Sequence, residues 1–123
     1  DAGAITILMQ DEISGLQVRH NGTWKTITNE NNSLIINVGD LVQVWSNDQY
    51  KAPLHRVLAN SQEDRFSAAF FMNPTSSTNC IPKTSGKPLY RTVNWGEFRS
   101  ARAAGDYANL GNEAQISDYR ISP

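Results

Sequence analysis

Disulfides are excluded at once, because Cys80 is the one cysteine in 123 residues. A chain without internal disulfides fits a reducing compartment, and a cytoplasmic location is the expectation. Neither charge sign dominates. The 11 basic and 12 acidic side chains leave a net charge of -1, which gives no footprint for nucleic acid or an anionic membrane. Long apolar runs are missing, so no membrane-spanning helix is expected. The opening residues carry no signal-peptide pattern. Internal repeats and low-complexity tracts are absent as well. Histidine is scarce: His20 and His55 stand alone, so imidazole chemistry has two places to sit. What remains is 39% apolar and 19% charged, the balance of one soluble globular domain.

Short β-branched runs separated by turn residues fill the first 72 positions. Ala4–Gln10 reads as a strand, followed by a turn at Asp11, Glu12, Ser14 and Gly15. Leu16–Arg19 alternates apolar and polar, as a half-buried strand does. Asn21-Gly22 is a strong hairpin signal, with Trp24–Ile27 as the return strand. Leu34–Val38 and Leu41–Ser46 read as two more strands, divided by Gly39-Asp40. A histidine strand, Leu54–Asn60, and an Arg65–Phe71 strand complete seven. Seven short strands argue an all-β barrel or sandwich. Thr75–Pro88 reads as a loop. Asn94 and Glu97 form a capping box for a helix running to about Ala104, with Gly105 as its stop and Phe98, Ala101 and Arg102 on one side. The tail, from Asp106 onward, carries Tyr107, Leu110, Ile116 and Tyr119 without a clear period.

Arg65 and Ser67 sit two apart on a strand and therefore share a face. A guanidinium fork beside a hydroxyl is a ready site for a small carboxylate. His55 is a candidate metal ligand or acid/base. Asp1 supplies a carboxylate from a distant strand. A carboxylate and an imidazole on different strands of a barrel can converge on one metal. Taken singly these residues have plainer readings. A lone histidine is more often hydrogen-bonded in a core, and a lone arginine more often sits at the surface. Trp24, Trp45 and Trp95 read as packing, and Cys80 as an incidental thiol in a loop. His20, at the hairpin, reads as solvent-exposed. Arg99 and Arg102 read as the solvated side of the helix, with Arg102 in reach of the barrel.

The sequence resembles the C-terminal half of an iron(II)- and 2-oxoglutarate-dependent dioxygenase, in the isopenicillin N synthase-like branch. The residues that carry the resemblance are Asp1–Leu8, Gly15–Val18, Asn37–Asp40, Trp45–Asp48, His55–Val57, Arg65–Ser67 and Phe71–Pro74. The resemblance implies a double-stranded β-helix, or jelly roll, partial and with a C-terminal helix. In that frame residues 1–74 are the C-terminal part of the oxygenase domain, and 75–123 are a loop, helix and tail packed on the barrel. It implies Asp1 and His55 as metal ligands, Arg65 and Ser67 as the 2-oxoglutarate-binding pair, and Phe71 in the substrate pocket, with no catalytic residue beyond the metal ligands. It implies Fe(2+), 2-oxoglutarate as co-substrate, O2, a small-molecule substrate and room for ascorbate as a reductant. The family's first ligand, a histidine two residues before the aspartate, is lacking here. The expectation is therefore a fragment whose incomplete barrel edge favours association. Two other readings stay open: a 2-oxoglutarate-independent oxidase of the same family, and a non-catalytic jelly-roll fragment that binds a small carboxylate or a partner.

Overall fold

The computed structural model describes residues 1–108 and 113–121. Leu110 and the side chain of Tyr107 lie outside the described residues. In chain order the elements are β1 (Ile5–Gln10), β2 (Leu16–His20), β3 (Thr23–Thr26), β4 (Ile35–Val38), α1 (Asp40–Trp45), β5 (His55–Val57), β6 (Ser67–Met72), β7 (Asn79–Cys80), β8 (Val93–Asn94) and α2 (Trp95–Ala108). A 3-10 turn, Ile116–Tyr119, follows.

Two antiparallel three-stranded sheets dominate. In one, β1 lies between β4 and β6; in the other, β2 lies between β3 and β5. The β2–β3 hairpin turns at Asn21 and Gly22, with φ of 49° and 79°. Both values are positive, as the turn matching the strand twist requires. This mostly-strand architecture is the partial jelly roll that the sequence pattern and the resemblance imply.

Several local expectations fail, among them the histidine strand expected over Leu54–Asn60, which is confined to His55–Val57, and the strand expected from Arg65, which begins at Ser67. Leu41–Ser46 is not a strand but the body of α1. Six residues are too few for alternation to separate the two periods. Tertiary packing decides, because Leu41 and Val44, three apart, are fully buried together. The loop expected over Thr75–Pro88 holds β7, which pairs with β8 and buries Cys80. The helix does not stop at Gly105 but continues to Ala108. Its start is as expected: the Asn94 side chain accepts the Glu97 backbone N–H at 3.1 Å. Ala101, placed on the packed side, is exposed, whereas Phe98 is fully buried.

The tight core lies beside the sheets, not between them. Ala4, Leu41, Val44, Cys80, Val93 and Phe98 are buried there with Tyr90 and Trp95. Burying a side chain such as Leu41 or Phe98 contributes about 1.5–3 kcal/mol. Arg102 joins α2 to α1 through a 2.7 Å ion pair with Asp40. Tyr90 donates to Asp48 at 2.5 Å, and Arg120 pairs with the same carboxylate. The tail is thereby fastened to the turn after α1.

Between the two sheets lies a cavity of about 170 Å³. Thr6, Leu8, Ile35 and Ala69 line it from the first sheet, and Leu16 and Val18 from the second. The opposite face of the first sheet is apolar too. Ile7 sits across from Ile36 on one side and Phe70 on the other, and Ile36 and Phe70 are 57% and 62% exposed.

Candidate metal and carboxylate site

Asp1 is held by backbone before its side chain does anything. The N–H groups of Gly39, Asp40 and Leu41 donate to the carbonyls of Ala4, Asp1 and Gly3 at 2.8, 2.8 and 3.1 Å. The approach is close enough that a Cβ on Gly39 would lie 2.2 Å from the Gly3 carbonyl oxygen. The Asp1 carboxylate then takes two donors on one oxygen. Thr6 Oγ1 and Asn37 Nδ2 reach Oδ2 at 2.7 and 2.6 Å. These two residues are cross-strand partners on β1 and β4. Oδ1 is left facing the cavity.

His55 opens β5 and turns its ring toward that oxygen. Nε2 stands 3.4 Å from Asp1 Oδ1. On the other side Nδ1 is 3.1 Å from the Pro53 carbonyl oxygen. A carbonyl can only accept, so in the neutral form of the ring this contact favours the proton on Nδ1 and a lone pair on Nε2. An imidazole lone pair and a carboxylate oxygen facing each other repel unless a cation lies between them. This is the second-sphere arrangement that orients a metal-binding histidine. A carboxylate oxygen and an imidazole nitrogen suit a divalent iron centre. The residues present therefore fit two positions of such a centre. Among the described residues no cluster of three or more His, Cys, Asp or Glu side chains is found. His20 ends β2 and is exposed, and it takes no part in lining the cavity.

Arg65 and Ser67 also line the cavity, as does Phe71. Ser67 begins β6, while Arg65 precedes the strand by two residues. The strand register puts Phe71 opposite Thr6 and Ser67 opposite Gln10. The hydroxyl is thus four residues along β6 from the level of Thr6, which holds the Asp1 carboxylate, about 13 Å at strand rise. Arg65 reaches into this interval from the far end. The arrangement is a narrow space with the Asp1 carboxylate and the His55 ring at one end and a cationic fork with a hydroxyl at the other. Its volume is well below the roughly 300–1,000 Å³ of drug-sized sites, and it suits a small diacid.

Sequence reasoning missed the supporting residues. Thr6, Gln10 and Asn37 were not singled out as site residues. Their signal was available: Thr6 and Gln10 flank Leu8 on the inward face of β1, where apolar residues would be the default. Cys80 lies elsewhere. It donates to the Leu41 carbonyl at 3.4 Å, and burial pushes its pKa up to about 12.

The model of the 2OG-Fe(II) oxygenase superfamily matches residues 1–74. The chain belongs to this superfamily. Gibberellin 2-beta-dioxygenase 5 of Oryza sativa subsp. japonica is 43% identical over 126 residues, which covers 98% of this chain and 37% of that protein. A crystal structure of JOX2 in complex with 2OG, Fe and JA superposes with a TM-score of 0.81 at 34% identity, over 100% of this chain and 37% of that one. A rice dioxygenase for auxin oxidation shares the fold, with a TM-score of 0.83 at 24% identity over 98% of this chain and 43% of its own. The chain thus spans less than half the length of each of these proteins. No helix among the described residues is long and apolar enough to cross a membrane.

Proposed function

We propose that the protein carrying this chain is an iron(II)- and 2-oxoglutarate-dependent dioxygenase acting on a small organic substrate. Residues 1–74 form the C-terminal part of its jelly-roll oxygenase domain, and 75–123 a loop, helix and tail packed on it. The observation that carries this reading is the pairing of two sites in one cavity: Asp1 with His55 at one end, Arg65 with Ser67 at the other. Among the described residues no third His, Cys, Asp or Glu side chain joins the Asp1–His55 pair, and the reading calls for a further donor.

Asp1 and His55 would hold iron(II), with Asp1 Oδ1 and His55 Nε2 as the donor atoms. Bound there, the metal supplies the oxygen chemistry that couples decarboxylation of 2-oxoglutarate to succinate and carbon dioxide with oxidation of the substrate. The chain's own residues bind and orient. Thr6 and Asn37 hold the Asp1 carboxylate so that Oδ1 stays turned inward. The Pro53 carbonyl keeps the His55 proton on Nδ1. Arg65 and Ser67 bind the far carboxylate of 2-oxoglutarate by charge-assisted hydrogen bonds. Leu8, Leu16 and Val18 keep the space between the two ends dry. Phe71, on the Asp1 side, lines the substrate's place.

Mn(II) titration of the intact protein, with and without 2-oxoglutarate, tests the reading together with succinate release. The expected result is metal binding strengthened by 2-oxoglutarate, and succinate formed in step with substrate oxidation. Metal binding without any response to 2-oxoglutarate, and oxidation without succinate, would overturn it in favour of a 2-oxoglutarate-independent oxidase.

A further inference from the structure

The guanidinium of Arg65 is fixed by a turn that the proposed reaction does not otherwise use. Gln10, the last residue of β1, is buried at 7% exposure. Its Nε2 donates to the Ile27 carbonyl at 3.3 Å, which leaves its Oε1 as an acceptor. Arg65 Nη2 donates to that oxygen at 3.2 Å, and Arg65 Nε to the Ile13 carbonyl at 3.1 Å. The next residue, Asp11, holds the frame. Its carboxylate accepts the Ile13 N–H at 3.0 Å and the Phe66 N–H at 2.5 Å. Phe66 is the residue between Arg65 and Ser67. Gly15 completes the seat, since a Cβ there would stand 3.0 Å from Arg65 Nε.

These contacts have a directional consequence. A carboxylate can meet a guanidinium side-on, at Nε and Nη2, or end-on, at Nη1 and Nη2. The Ile13 carbonyl occupies Nε, so the side-on edge is closed. The neutral amide of Gln10 takes one proton of Nη2 without neutralising the charge. The end-on edge is left for a ligand in the cavity. We propose that Gln10 is a positioning residue: its neutral acceptor locks Arg65 so that the end-on edge meets the distal carboxylate of the co-substrate. An acid here would take the charge for itself, and an apolar residue would let the fork swing. The inference rests on the proposed anchoring of 2-oxoglutarate by Arg65.

The test measures binding in the intact protein loaded with Mn(II). Gln10→Glu and Gln10→Leu are compared with Arg65→Ala, using 2-oxoglutarate and pyruvate as ligands. Pyruvate keeps the 2-oxo acid head and lacks the distal carboxylate. Gln10→Glu should raise the Kd for 2-oxoglutarate by about tenfold or more, with a smaller rise in Gln10→Leu, and change that for pyruvate by less than about twofold. Mn(II) affinity and melting temperature report whether each variant is folded, and Gln10→Leu carries the comparison if Gln10→Glu does not fold. Weakening of both ligands alike would make Gln10 merely structural and overturn the inference. So would an unchanged 2-oxoglutarate affinity in both Gln10 variants while Arg65→Ala weakens it. If Arg65→Ala leaves 2-oxoglutarate binding intact, the anchoring itself fails, and the inference with it.

Discussion

His55 Nε2 and Asp1 Oδ1 face each other across 3.4 Å, and the Pro53 carbonyl oxygen stands 3.1 Å from Nδ1 on the far side of the ring. In the proposed function the pair shares a divalent cation. His55→Ala in the intact protein should therefore abolish Mn(II) binding. Thr6→Val and Asn37→Ala leave both donor atoms in place and loosen the carboxylate. Each should weaken Mn(II) by about 10–100-fold. Isothermal titration checks all three, and equal affinity in Asn37→Ala and the parent would remove the orienting role.

Gly39 ties the proposed metal site to backbone packing. Its missing side chain is what lets residues 39–41 grip residues 1–4. Gly39→Ala places a methyl against the Gly3 carbonyl and should destabilise by about 1–3 kcal/mol, the usual cost of overpacking. Since the shift falls on the segment that carries Asp1, Mn(II) affinity should fall with it. Chemical denaturation and metal titration of one sample measure the two effects together.

Asp48 gives the fold an acid-sensitive fastening. Burial pushes its carboxyl up, but hydrogen bonds from Tyr90 and Arg120 outweigh this and hold its pKa below the ordinary value. A lowered folded pKa adds stability above the unfolded value of about 3.9, and that stability is lost as pH falls through the folded value. Asp48→Asn should cost about 1–2 kcal/mol at pH 7, discounted because Arg120 is partly exposed. The difference between variant and parent should shrink as the pH is lowered toward about 3. Urea unfolding across that range reads it, and a constant difference would show that the charge on Asp48 is irrelevant.

Cys80 should behave as a buried apolar group. With its pKa pushed up to about 12, the thiolate that reacts with alkylating agents is scarce at neutral pH. Iodoacetamide should label it only as fast as the core opens, and denaturant should speed the reaction steeply. Rapid labelling of the native protein would mean that the β7–β8 region opens by itself.

The site's framework was legible in the sequence because its parts are short and local. Arg65 and Ser67 differ by two, and a period of two survives even though Arg65 lies just outside its strand. His55 stands at a strand start, as read. Asp1 was placed beside it by the resemblance alone, since nothing in composition links residues 54 positions apart. The helix at Asp40–Trp45 was hidden by its own brevity: Leu-Val-Gln-Val-Trp satisfies both periods, and the deciding neighbours, Val93 and Phe98, lie some fifty residues away in the core. Gln10 was hidden for a different reason. A glutamine closing a strand looks like the polar half of an alternation, and its value appears once Arg65 is seen lying against it.

The sheet that carries β1 uses both of its faces: inward, Leu8, Ile35 and Ala69 line the cavity among Thr6, Asn37 and Ser67, and outward, Ile7, Ile36 and Phe70 form an apolar surface. An ordinary surface strand forgives every second substitution, because alternate residues meet water. β1 should forgive none in an intact protein whose outer face is covered. A scan of charged replacements along Ile5–Gln10 would then show a flat profile of intolerance: inward positions failing through the cavity, outward ones through lost contact with whatever lies over them. The same scan on the isolated chain would regain the two-residue rhythm, with the outward replacements improving solubility.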